Sequence, residues 1–137
     1  MKTYRLSSLA LMLLFAVTGF LFLLLPDGVL GLFNSISVRL GMAESSTTGF
    51  RFFLILAVGY MYLVSFLAFL MFRHPENKYF PLLLMNAKFA SSLLSLALYL
   101  LDGHYLIYLA NFVIDGTIGT FVALLYIHAG RRAWAYS

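Results

Sequence analysis

The chain of 137 residues contains no cysteine. That excludes disulfides, thiol redox chemistry, cysteine-ligated zinc and cysteine-held iron–sulfur clusters. Charge is nearly as scarce: Asp, Glu, Lys and Arg make up 10% of the residues, where a soluble domain carries about 25%. In their place the chain is 63% hydrophobic, with a mean hydropathy of +0.95. A soluble fold of this size would expose apolar patches far above the few hundred Å² usual for a monomer. A soluble enzyme is therefore excluded, and so is a disordered chain. The formal charge of +4 reads as a topology signal and not as a nucleic-acid footprint. The lipid bilayer is the first partner expected, and no nucleic acid.

Four apolar runs are long enough to cross a bilayer, which takes about 20 residues each. They cover about 6–25, 52–72, 79–101 and 104–127. No alternating strand pattern with turn signals accompanies them, which argues against a β-barrel. The expected fold is an all-α membrane protein: one bundle of four transmembrane helices, residues 1–137 forming a single domain. Residues 73–78 (RHPENK) and Asp102-Gly103 make short turns. The long connection between the first two spans holds Val29, Leu32, Phe33, Ile36 and Leu40 on one helical face. With Asp27 as N-cap and Gly41 as stop, it predicts a short interfacial amphipathic helix over about 28–41.

Lys2, Arg5, Arg73, Lys78, Arg131 and Arg132 fall on one side of such a bundle, and Arg39 and Arg51 on the other. Basic loops stay inside, so both termini are expected in the cytoplasm of a bacterial-type inner membrane. Trp134 and Tyr136 then belong at the inner interface. The first span has the basic start of a signal peptide, but its apolar run is too long and no small-x-small cleavage site follows. It is expected to stay uncleaved.

Ionisable groups inside a membrane are costly and point to function by default. Here they form a pattern. Lys88, Ser92, Ser95 and Tyr99 share one face of the third span; His104, Tyr108, Asn111 and Asp115 share one face of the fourth. In an antiparallel hairpin turning near Asp102, residues equidistant from the turn lie at equal depth. That pairs Lys88 with Asp115, Ser92 with Asn111, Ser95 with Tyr108 and Tyr99 with His104. An intramembrane Lys88–Asp115 ion pair is expected, with Asn111 one turn away to hold the carboxylate. Two readings follow. The pair fixes helix register, with Ser91, Ser92, Ser95, Gly116 and Gly119 packing the helices closely. Alternatively it is a proton relay or ligand site. Asn86 lies off the Lys88 face and points to another helix or a partner chain.

Arg51 opens the second span near the outer interface, placed to snorkel or to meet Asp102, Glu44, a lipid phosphate or another anionic group. His74, His104 and His128 sit at span ends, without the spacing of a metal site. No catalytic constellation stands out. An acid–base pair of Asp115 and His104 would be separated by some 16 Å at ~1.5 Å per residue.

Several residues carry a family resemblance: Leu25-Pro26 closing the first span, the short apolar helix that begins Val29-Leu30-Gly31-Leu32-Phe33, Gly49-Phe50-Arg51 opening the second span, and Gly59 within it. In this layout the chain resembles the DoxX-like and related small four-span bacterial membrane proteins. The resemblance implies a four-helix inner-membrane bundle that serves as an accessory partner of other membrane proteins. The expected function is a non-catalytic accessory or scaffolding subunit of a larger assembly. No cofactor is expected, though a lipid or quinone would fit beside the polar stripe. The alternative is a small proton-linked carrier working through Lys88 and Asp115 as a homo-oligomer.

Overall fold

A computed structural model describes residues 2–45 and 50–133, with side chains except at 50–52 and 129–133. The described chain is helical: α1 Lys2–Leu24, α2 Pro26–Arg39, α3 Phe50–Arg73, α4 Tyr79–Leu101 and α5 Leu106–Ala133. Four of these helices are long and apolar enough to cross a membrane. At ~1.5 Å rise per residue a helix of this length covers roughly 35 Å, and it satisfies its backbone hydrogen bonds internally. The chain thus has the make-up of an integral membrane protein.

The breaks between helices have local causes. Pro26 disfavours helical geometry at the residue before it, and Leu25 sits at φ −132°, ψ 50° between α1 and α2. Proline itself opens α2, where its missing N–H costs nothing. Asp27, expected as the N-cap, therefore lies inside the first turn, and Leu25 takes the cap position without a side-chain bond. The expected stop at Gly41 forms, with φ 68°, a left-handed conformation that glycine adopts without strain. Asn34 then ties the following segment back: its Nδ2 donates to the Ser45 carbonyl at 3.1 Å and its Oδ1 accepts from the Ser45 N–H at 2.9 Å. Asn77 Oδ1 accepts from the Tyr79 N–H at 2.9 Å where α4 begins.

The α4–α5 turn is longer than Asp102-Gly103. Residues 102–105 form it and α5 starts at Leu106, so His104 lies in the turn and not on a helix. Tyr105 folds over Gly103, where a Cβ would come within 2.6 Å of its ring. The close approach holds the chain out of helical register for two residues more than the hydrophobic pattern suggests.

Successive long helices run antiparallel. Arg5 at the start of α1 donates from Nε to the Phe72 carbonyl near the end of α3, at 3.2 Å. Ser65 in mid-α3 donates to the Met12 carbonyl at 3.1 Å. α1 packs mainly on α3 and α4 on α5, α3 and α4 join the two pairs, and α2 touches α1 and α5. Small residues set the spacing: a Cβ at Gly19 would meet Met61, and one at Gly119 would meet the Phe89 ring at 3.0 Å.

The apolar core holds Leu11 and Phe15 of α1, Val64, Ala68 and Met71 of α3, Leu84 of α4 and Val122 of α5. It fills the end of the bundle where α1 begins and α5 ends. The faces left outside carry large apolar side chains, among them Phe53, Ile55, Leu93 and Leu100.

Two glycines should respond in opposite ways to added bulk. Gly119→Val should lower stability by about 1–3 kcal/mol, because the Phe89 ring must move. Gly31→Ala, in an exposed turn of α2 with open space around it, should raise it by up to about 1 kcal/mol. Thermal unfolding in detergent reads both.

Candidate functional site

The four long helices converge on one ammonium group. Lys88 Nζ in α4 donates to Asp115 Oδ1 in α5 at 2.8 Å, with side-chain exposures of 1% and 3%. The expected ion pair is present and sealed inside the bundle. Two aromatic rings close the rest of the cation's surroundings: Nζ is 4.6 Å from the Phe15 ring centre in α1 and 4.9 Å from that of Tyr60 in α3. Ring faces attract cations, and more strongly away from water. Tyr60 is held in place by its hydroxyl, which donates to the Ala87 carbonyl at 3.1 Å, one residue before Lys88.

Such a site forms because the sequence supplies a long stem at mid-helix. The Lys88 methylenes lie among buried apolar neighbours while the head reaches the next helix. A charge moved out of water costs several kcal/mol, offset only by a close partner and good hydrogen bonding. Here the cation is well provided for and the anion less so. Asp115 is 2% exposed, yet its Oδ2 has no hydrogen-bond partner among the described residues.

The remaining stripe residues meet in a different pattern from equal depth. Asn111 does not hold the carboxylate. Its Nδ2 donates to Ser95 Oγ at 2.6 Å and Ser91 Oγ at 3.1 Å. Ser92 Oγ donates to the Phe112 carbonyl at 2.8 Å instead of meeting Asn111. Tyr108 does not reach Ser95; its hydroxyl donates to Asp102 Oδ2 in the turn at 3.1 Å. Depth fixes the level of two residues but not their rotation about the helix axes. A glycine at 116 lets α5 lie so close to α4 that a Cβ there would sit 3.0 Å from Ser92 Oγ. Tyr99 and His104 do meet, ring edge to face, with centres 4.9 Å apart. The side chain of Arg51, and Trp134 and Tyr136, lie outside the described residues.

Phe15 and Tyr60 are the site residues that spacing could not find. They come from helices outside the α4–α5 hairpin, and nothing local marks them among so many aromatics. His74 is 3.4 Å from Glu76 in the α3–α4 turn, and His128 bonds the Leu124 carbonyl within α5. Among the described residues no three His, Asp or Glu side chains gather as a metal site would require.

Beside the pair runs a groove of about 760 Å³ between α4 and α5, lined by Phe89, Ser92, Leu93, Phe112, Gly116 and Thr120 among others. Its hydroxyls are occupied: Thr117 and Thr120 donate to the carbonyls of Val113 and Gly116, four residues back. The groove therefore presents a hydrocarbon-like wall. No family model matches the chain, and no curated protein or solved structure is found to match it either.

The two charges should be strongly coupled. Asp115→Leu or Lys88→Met alone leaves one charge buried without its partner and should cost about 3–5 kcal/mol. The double variant should recover most of that loss. Unfolding titrations of the four proteins in mixed micelles measure the coupling directly.

Proposed function

We propose that this chain is a non-catalytic accessory or scaffolding subunit of a larger inner-membrane assembly. The observation that carries the reading is the sealing of the Lys88–Asp115 pair, at 1% and 3% exposure. The most reactive groups in the bundle are spent on one another and on Phe15 and Tyr60. Ser91, Ser95 and Asn111 are likewise bonded to each other. Apart from Asp115 Oδ2, which is buried out of reach, the polar side chains described at this depth are engaged with one another. Outside the pair the surface is apolar and extensive, suited to lipid and to other membrane helices. The DoxX-like layout of the sequence implies the same role.

In this reading both termini lie in the cytoplasm, as the basic residues of the amino end, the α3–α4 turn and the carboxyl end favour. Helix α2 lies in the outer interface. Support comes from its exposure: Leu32 and Ile36 are exposed, while Leu30 and Ser37 are buried. The groove beside Ser92 takes a lipid acyl chain or the tail of a quinone, since its polar atoms are already occupied.

One observation favours a second reading, a proton-linked carrier. Asp115 Oδ2 is buried and without a partner among the described residues, and a lone carboxylate oxygen can accept a proton. The two readings differ in what removal of the pair does. A scaffold carrying Lys88→Met with Asp115→Leu stays functional, whereas a carrier loses its flux.

Purification from native membranes in mild detergent, followed by native mass spectrometry, tests the leading reading. Discrete species containing a second polypeptide at fixed ratio are expected. Species built of this chain alone would overturn it. A pH-jump measurement on proteoliposomes should show no proton flux that the double substitution abolishes; such a flux would establish the carrier.

A further inference from the structure

Asn86 places a primary amide on the outside of the bundle. It lies in the middle of α4, about 6 Å from the helix midpoint at Ala90 by ~1.5 Å per residue. At ~100° per residue it stands about 160° around the helix from Lys88. It is accordingly exposed on the outside of the bundle. Among the described residues its amide has no hydrogen-bond partner. The exposed Thr117 and Thr120 hide their hydroxyls on their own helix, which a primary amide at this position does not do. In a chain that spans a membrane, that amide would face hydrocarbon and stay unsatisfied.

Its neighbours complete a pattern. Leu83, Asn86, Ala90, Leu93, Ala97 and Leu100 follow one another at spacings of 3, 4, 3, 4 and 3. This is the alternation of a two-stranded coiled-coil seam, in which the contact face repeats every 3.5 residues. The seam is uncovered: Leu83 is 54% exposed, Leu93 64% and Leu100 64%. Asn86 and Ala90 are exposed as well, and Ala97 is half-buried. Ala90 and Ala97 let two backbones approach closely, as small residues do between membrane helices. The face carries no charge, and a lone polar side chain in an apolar seam favours the register in which it meets its counterpart.

We infer that α4 is a homodimerisation helix, whose partner is α4 of a second copy, related by a two-fold axis along the membrane normal. The amide itself selects that partner. It offers one N–H donor group and one carbonyl acceptor, so two Asn86 side chains at equal depth satisfy each other reciprocally. Copies inserted with the same topology bring α4 to α4 in parallel, which is the arrangement that places Asn86 against Asn86. The inference rests on the membrane-spanning reading but not on the accessory role. An assembly holding a second polypeptide and two copies of this chain satisfies both.

The absence of native cysteine gives a clean test. Single-cysteine variants Ala90→Cys and Ala97→Cys, on the seam, are compared with Ile55→Cys, on an exposed face of α3. After oxidation in native membranes, the seam variants should be trapped as covalent homodimers and the α3 variant should not. Asn86→Leu should weaken dimerisation of the full chain by about tenfold, the effect of one interhelical polar contact. Its helical content by circular dichroism should be unchanged, because Asn86 is exposed on the outside of the bundle. Cross-linking at Ile55 but not at Ala90, no cross-linking at all, or a dimer indifferent to Asn86→Leu would each overturn the inference. Particles built of this chain alone that cross-link at Ala90 would uphold the seam while overturning the accessory role.

Discussion

The buried ion pair between Lys88 and Asp115 is the interaction on which the rest of the bundle depends. Neither charge tolerates an apolar interior alone. Each therefore dictates what surrounds it: a partner on the facing helix, rings from the two remaining helices, and a tyrosine hydroxyl that anchors one of those rings. The apolar core from Leu11 to Val122 lies on one side of this level and the serine–asparagine cluster on the other. The pair is thus the boundary between two kinds of packing. One is dry and filled by Phe15, Met71 and Leu84; the other is polar and internally bonded.

The same need to leave no polar group stranded explains smaller features. Ser8, Thr18, Ser35, Thr117 and Thr120 each donate to the carbonyl four residues earlier. A hydroxyl used in this way adds almost no polarity to the helix surface. Asn34 behaves like a short piece of backbone toward Ser45, with both amide functions engaged. Against that background Asp115 Oδ2 and the Tyr4 hydroxyl inside, and the Asn86 amide outside, stand apart among the described residues.

Much of this is written in the sequence, and the limits of what is written have physical causes. Four spans, their antiparallel order and the helix after Pro26 follow from hydrophobic run length and proline placement. The Lys88–Asp115 contact follows from their placement on facing sides of one hairpin, the long lysine stem spanning the offset in depth that the four-residue turn introduces. The partners of Asn111, Ser92 and Tyr108 do not follow, because the turn is two residues longer than the hydrophobic pattern suggests and shifts α5 along α4, which brings Asn111 level with Ser95. Phe15 and Tyr60 join the site through packing between the two helix pairs, which no local spacing encodes. His104 leaves the helix because Tyr105 closes over Gly103. The α4 seam is a different case: its heptad spacing is legible in the sequence, but only the fold shows that this face is left uncovered.

The short turn over residues 102–105 bears on how the chain enters a membrane at all. A span carrying a lone lysine or a lone aspartate is penalised on insertion by about 2.5–3.5 kcal/mol per charge. The short turn keeps the two spans adjacent from the start. They can enter as one hairpin, with the cation and anion already side by side and nearly cancelling. The pair that later organises the bundle would first act as a passport for its most polar half. The α1–α3 pair, free of such charges at mid-span, needs no comparable arrangement, and assembly of the four-helix unit becomes the docking of two hairpin-like halves around a charge pair already made.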